Sequence, residues 1–223
     1  MRFLSLWPRS TERASAGRSL PFPAAPHLRA ALAGNSSGFK DVVAFPEGRW
    51  RELTSFAAQV VAGELRYLLP LADRVFERKL DLRSLDVAVF VLTRLGNGPL
   101  TTSDRNTLWR AFRVPIYELY VDETDTVLAS ECEAHEGWHL RHPRLKFDLK
   151  TRQVLFQKHG LAANPVQTSL TADGLDSICP CGDDAPLLRS VRPVTHTIEI
   201  VKRPVRKPAA VKQAAARGRA ASA

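Results

Sequence analysis

Cysteine is scarce. Three residues in a chain of 223 make an odd number, too few for the disulfide framework of a small secreted domain. Long hydrophobic runs are absent too, because Arg, Asp, Glu or Pro interrupts every apolar stretch well before the ~20 residues that a membrane-spanning helix needs. Aromatic residues make up only 8% of the composition, so the 44% of hydrophobic residues are expected to build one core of moderate size. These deficits predict a soluble, cytoplasmic protein with one folded domain. At the N-terminus the apolar run ends at Pro8 with no small-residue cleavage site after it. That stretch reads as disordered, although its Arg- and Ser-rich, acid-poor texture also suits an organelle transit peptide.

Acid is missing from one place above all. Residues 202–223 carry seven Lys or Arg (Lys202, Arg203, Arg206, Lys207, Lys212, Arg217 and Arg219) and no Asp or Glu, so the net charge of +9 falls to +2 over residues 1–201. A basic DNA-binding body is thereby excluded, and nucleic-acid binding becomes a reading of the tail alone. With no apolar face to bury, the tail is expected to be disordered.

Residues 1–48 are rich in Pro, Ala, Ser, Gly and Arg and are expected to be a disordered linker, with a single globular domain over 49–201. From Trp50 onward Leu53, Phe56, Ala57, Val60, Val61, Leu65, Leu68 and Leu69 recur at three- and four-residue steps, which predicts one buried helix face. Pro70 should kink or end that helix before a second piece bearing Val75, Phe76 and Leu80. Leu85–Leu92 is a short, nearly continuous apolar run, as a parallel strand buried on both faces requires. The turn Gly96-Asn97-Gly98-Pro99 leads to a helix capped by Thr102 or Ser103 and carrying Leu108, Trp109 and Phe112, and Val114–Tyr120 completes a βαβ unit. Farther on, Leu145, Phe147 and Leu149 alternate with polar residues, as do Val154 and Phe156, which predicts an antiparallel hairpin across Lys150-Thr151. Val194–Val201 reads as a last strand.

The three cysteines and one histidine form a metal-binding pattern. Zinc favours thiolate and imidazole in a tetrahedron, and three Cys with one His is a common closed structural set. Cys132 and His139 are close enough for a strand and a tight turn at Gly137 to bring them together, while Cys179-Pro180-Cys181-Gly182 offers two thiols on one knuckle. A polar segment beside Asp183 and Asp184 gives these thiols little reason to be core residues, the alternative for free cysteines. The predicted ligands of a structural Zn2+ are therefore Cys132, His139, Cys179 and Cys181. The same stretch contains His135-Glu136-Gly137-Trp138-His139, which matches the His-Glu-x-x-His helix of zinc metallopeptidases, with Glu136 as general base and His142 as a third ligand. That alternative demands a helix with Gly137 at its centre, a cost of ~1 kcal/mol relative to Ala.

Two segments resemble the adenylate-forming (AMP-dependent synthetase/ligase) superfamily, most closely its phenylacetate–coenzyme A ligase branch. LGNGPLTTSDRNTLWRAFRVPIYELY (Leu95–Tyr120) is similar to the stretch in which a glycine turn with Pro-Leu opens a helix before the strand leading to the acyl-adenylate site. ASECEAHEGWHL, with CPCG farther on, is similar to elements that supply zinc ligands in that branch. The resemblance spans about Leu85–Arg192 and implies the same four ligands, with His135 lying between them unbound and Glu131 and Glu133 framing the strand. It also implies a partial adenylate-forming α/β fold: helices, a βαβ unit with parallel strands, then a zinc-bound antiparallel β part.

The nucleotide elements of that family are matched poorly. Asn35-Ser36-Ser37-Gly38-Phe39-Lys40 lacks the second glycine of the phosphate loop, and Tyr120-Val121-Asp122-Glu123-Thr124 stands where a Tyr-Gly-x-Thr-Glu element would hold adenine and magnesium. No Arg-x-x-x-Gly-Asp for the ribose is found, nor a C-terminal domain with the adenylation lysine. ATP, AMP and CoA are therefore not expected as cofactors. The expectation is a zinc-stabilised, non-catalytic module acting in binding or scaffolding, with a protein partner able to supply the missing half. The alternatives are a degenerate acyl-CoA ligase working with such a partner, a peptidase through HEGWH, or nucleic-acid binding through the tail.

Overall fold

The computed structural model describes residues 20–21, 29–34, 39, 42–157 and 166–193. Parallel strands come first: β1 (Ala30–Ala33), β2 (Val42–Phe45), β3 (Val60–Gly63), β4 (Ala88–Arg94) and β5 (Ile116–Val121). They lie side by side in the order β2-β1-β3-β4-β5. Three helices connect them: α1 (Trp50–Phe56) between β2 and β3, α2 (Leu65–Phe76) between β3 and β4, and α3 (Thr102–Phe112) between β4 and β5. Antiparallel strands β6 (Val127–Glu131), β7 (Gly137–Leu140), β12 (Leu187–Arg189) and β11 (Gly174–Asp176) extend the sheet past β5. Beside it lies a four-stranded antiparallel sheet of β8 (Leu145–Asp148), β9 (Gln153–Phe156), β10 (Val166–Thr171) and β13 (Arg192–Pro193).

The parallel strands β1, β3, β4 and β5 are buried on both faces, which is why they read as continuous apolar runs rather than alternating ones, whereas Val43 of the edge strand β2 is exposed. On one face Val61, Val89 and Val91 pack with Leu53 of α1, Leu68 and Leu71 of α2, and Leu108 and Phe112 of α3. On the other, Val60, Ala62, Phe90 and Leu92 pack with Leu119 and Val121. A third cluster joins the two sheets through Tyr120, Leu128, Trp138, Leu145, Val154, Phe156, Leu170 and Leu188. The result is an α/β domain with a mixed sheet and a βαβ unit, as the sequence predicts.

Several boundaries differ from expectation for identifiable reasons. The single helix expected from Trp50 to Leu69 is a helix, a strand and a second helix. α1 stops where Ala57 turns left-handed at φ 53°, and the β-branched pair Val60-Val61 is held between β1 and β4. Valines at helical spacing also suit a short buried strand, and only the neighbouring strands choose between the two. Pro70 neither ends nor splits α2, which continues to Phe76. The proline costs one backbone hydrogen bond, but the burial of Leu68, Leu71 and Ala72 holds the helix against the sheet.

The expected linker over 1–48 contains β1 and β2, so the folded unit begins before residue 49. The alanine-rich strand Ala-Ala-Leu-Ala carries no propensity signal, and its pairing to β2 and β3 and its burial on both faces stabilise it. The cap of α3 is Thr101, not Thr102 or Ser103, and its Oγ1 accepts a hydrogen bond from the Asp104 amide at 3.1 Å. The hairpin forms as predicted, with Phe147 opposite Val154. The expected strand at Val194–Val201, the segment 35–38 together with Lys40, and the basic tail lie outside the described residues.

Candidate metal centre

The four predicted ligands arrive from three places in the antiparallel half. Cys132 directly follows β6, His139 is the third residue of β7, and Cys179 and Cys181 sit in the connection from β11 to β12. The register sets His139 beside Ser130 on one side and Leu187 on the other. Gly137 makes that register accessible. A Cβ there would lie 2.0 Å from the carbonyl oxygen of Leu188, at a backbone φ of +155° that side-chain-bearing residues rarely adopt. Its role differs from the tight turn expected of it: it lets β12 close on β7, and β12 carries the Cys-Pro-Cys knuckle with it.

The ligand atoms of Cys132, His139, Cys179 and Cys181 all lie within 4.8 Å of one another. Cys132 Sγ is 3.2 Å from Cys179 Sγ, and Cys181 Sγ is 3.3 Å from His139 Nε2. Metal–sulfur bonds of ~2.3 Å at tetrahedral angles place sulfurs about 3.8 Å apart, so one small cation fits between these atoms with minor adjustment. Cys132, His139 and Cys179 are buried and Cys181 is partly so. His139 Nδ1 is 2.9 Å from the carbonyl oxygen of Ala185; an Nδ1–H donating there leaves the Nε2 lone pair facing the thiols. The knuckle is closed by the Gly182 amide donating to the Cys179 carbonyl at 3.0 Å, with Gly182 at φ +82°. Beside it Arg141 pairs with Asp183 at 2.5 Å.

Without a cation the thiols crowd one another. Burial pushes Cys132 up and Cys181 up to about 12, reinforced in each by neighbouring sulfur, while Cys179 falls because the backbone amide of Cys181 and its sulfur neighbours outweigh burial. Three thiolates this close require a positive charge among them, and a divalent metal supplies it. The donor set and its geometry thus make a Cys3His cluster able to coordinate a metal ion.

The peptidase constellation is not assembled. Residues 137–140 are strand, not helix, and His135 lies in the preceding turn at φ 56°. Its Nδ1 is bonded to Glu131 at 2.8 Å and its ring stacks on Tyr117 at 5.3 Å, outside the thiol cluster. Glu136 is exposed near Arg189. His142 Nδ1 accepts from the Arg144 amide at 3.2 Å. The two histidines of HEGWH therefore belong to different environments, and no Glu-activated site is formed by the motif.

Sequence reasoning missed a second polar constellation, across β5 from α3. Glu118 is 2% exposed in the middle of an apolar strand. Its Oε1 accepts from Thr93 Oγ1 at 2.5 Å and from the Leu100 amide at 2.7 Å. Burial raises the Glu118 pKa to about 7; the bonds from Thr93 and Leu100 offset part of that effect, Glu131 adds to it, and Arg105 opposes it. Glu131 Oε2 accepts from Arg105 Nη2 and from the Glu118 amide, both at 2.9 Å. The signal was present in the sequence: a lone acid inside Ile-Tyr-Glu-Leu-Tyr-Val is a charge in a buried strand.

Fold and cluster together define an α/β domain with a metal-capable Cys3His corner. Three crystal structures of 2-hydroxyisobutyryl-CoA ligase are similar to it. One in the thioesterification state with 2-HIB-AMP and CoA matches at TM-score 0.54 and 13% identity, over 74% of this chain and 43% of that one. An open conformation with the same ligands gives 0.53 and 13%, over 73% and 44%. A postadenylation state with 2-HIB-AMP gives 0.51 and 12%, over 72% and 42%. The likeness is one of fold, to part of that CoA ligase, and the chain spans less than half of its length. No protein-family model and no curated protein sequence matches the chain.

Proposed function

We propose that this chain is a zinc-stabilised module built on part of the adenylate-forming fold, of the kind found in the phenylacetate–CoA ligase branch, and that it acts in binding or scaffolding rather than in ligation. The converging Cys132, His139, Cys179 and Cys181 carry the reading. They would hold Zn2+ in a closed tetrahedral site, tying the β6–β7 hairpin to the β11–β12 knuckle. Free thiols as ligands suit a reducing compartment such as the cytoplasm.

The loop that aligns with the family's adenine-binding element supports a non-ligating role. Asp122 Oδ1 accepts from the amides of Thr124 and Thr126 at 2.9 and 3.0 Å, and Oδ2 from Arg144 Nη2 at 2.7 Å. Arg94, at the end of β4, bonds the Asp122 carbonyl and pairs with Glu64 and Asp125. The groups at this edge of the sheet are thus committed to one another. Ligation with a partner protein that supplies the remaining machinery stands as the second reading, favoured by the ligase-like fold.

The test is metal analysis of the purified chain together with ATP–pyrophosphate exchange. One zinc per chain is expected, lost in Cys181→Ala along with cooperative unfolding, because structural zinc contributes on the order of 10 kcal/mol to domains of this kind. A metal-free, fully folded Cys181→Ala variant would refute the structural role. Robust exchange by the purified chain would refute the non-ligating reading.

A further inference from the structure

A cavity of ≈ 600 Å³ opens between the N-terminal end of α3 and strands β5 to β7; none of Cys132, His139, Cys179 and Cys181 lines it, and its lining includes Leu100, Arg105, Glu118, Glu131, Glu136 and Trp138. Its size falls within the range of small-molecule sites. The charges in this wall are unbalanced. Arg105 is the sole Arg or Lys among the described lining residues and is already committed, with Nη1 donating to the Ile116 carbonyl at 2.6 Å and Nη2 to Glu131 at 2.9 Å. Glu131 is saturated in turn, bonded by Arg105, the Glu118 amide and His135.

Glu118 is not saturated. Both of its hydrogen bonds fall on Oε1, so among the described residues Oε2 has no donor, although the residue is 98% buried. An oxygen of a buried side chain that lines a cavity, with no donor from the protein, leaves a hydrogen-bonding position open to the cavity's occupant. Of the remaining lining, Leu100, Trp138, Val191 and the prolines Pro99 and Pro193 are apolar or aromatic and suit a hydrocarbon or ring, beside the hydroxyls of Thr101, Thr102 and Ser190.

We infer that this cavity is a binding site for a small amine with an apolar or aromatic body, its ammonium group donating to Glu118 Oε2. An acidic ligand would meet the acids Glu118, Glu131 and Glu136, with Arg105 already bound to Glu131 and Arg189 near Glu136. A neutral hydroxyl could make the hydrogen bond but would not supply the positive charge that lets a buried carboxyl ionise. The site is independent of the zinc reading.

The experiment uses the full chain and three probes of one shape: 2-phenylethylamine, 2-phenylethanol and 3-phenylpropionate. Binding is followed by calorimetry and by the indole NMR signals of Trp138, which lines the cavity, and Trp109, which sits exposed on α3. The expected result is saturable binding of the amine alone, with the Trp138 signal moving and Trp109 still. Glu118→Gln keeps an acceptor for Thr93 and Leu100 and should weaken the amine at least about tenfold. Thr102→Trp, an exposed substitution at the cavity mouth that disturbs no buried bond, should block it by a similar factor, which keeps the test decisive if the buried variant does not fold. Equal or tighter binding of the alcohol or carboxylate, no binding of any probe, or amine binding unchanged in both variants would overturn the inference.

Discussion

Replacing Glu118 with Gln should change how the stability of this protein depends on pH, and the size of the effect follows from the site. Burial is the main cause that moves the carboxyl from an ordinary 4.5 to about 7. At ~1.36 kcal/mol per tenfold change in proton affinity, that difference is worth about 3 kcal/mol between the two protonation states. The folded chain holds this proton more tightly than the unfolded chain, so between pH 4.5 and 7 folding takes up a proton. Glu118 therefore stabilises most at and below pH 4.5, and its contribution drains away as pH rises through 7. Gln stays neutral throughout and keeps the acceptor facing Thr93 and Leu100. Urea unfolding of wild type and Glu118→Gln at several pH values from 4.5 to 8 measures the difference. Metal-linked protonation of Cys and His acts on both proteins and cancels in the subtraction. The expected outcome is a wild-type advantage that shrinks by about 3 kcal/mol across the window. Parallel pH profiles, or a Glu118 carboxyl carbon that titrates near 4.5 in NMR, would refute the reasoning.

Gly137→Ala should be among the most damaging single-methyl additions. Its Cβ would sit 2.0 Å from the Leu188 carbonyl, so β12 must retreat from β7; thermal melts and metal content should fall together, by several kcal/mol in stability (on the order of 3). Asp122→Asn should destabilise on the neutral side. Burial pulls this carboxyl upward, but the bonds from Thr124, Thr126 and Arg144 outweigh it and hold its pKa low. Its contribution is thus full above the ordinary carboxylate range and lost as pH falls, so the acid-unfolding curves of wild type and variant should converge at low pH. A constant gap at all pH values would count against that assignment.

Much of the architecture was readable in one dimension, because some signals depend only on chemistry and period. The apolar β-branched run near Val89 has no other use than a strand buried on both faces, and the alternation at Leu145, Phe147, Val154 and Phe156 suits only a half-buried hairpin. The Cys3His cluster was legible for a different reason: thiolate and imidazole preferences belong to the side chains themselves, so Cys132, His139, Cys179 and Cys181 could be singled out before their convergence was known. The sequence alone could not say whether Val60-Val61 continued a helix, since valine at that spacing satisfies either geometry until β1 and β4 flank it. Nor could it reveal β1, whose alanines carry no pattern and are stabilised by their partners. Tertiary structure also decided what Gly137 is for, because the Leu188 carbonyl that excludes a Cβ lies fifty-one residues away. The same holds for Glu118, an acid whose altered proton affinity arises from the groups packed around it. Composition and period are properties of the chain; register, close approach and dielectric are properties of neighbours, and only folding brings the neighbours together.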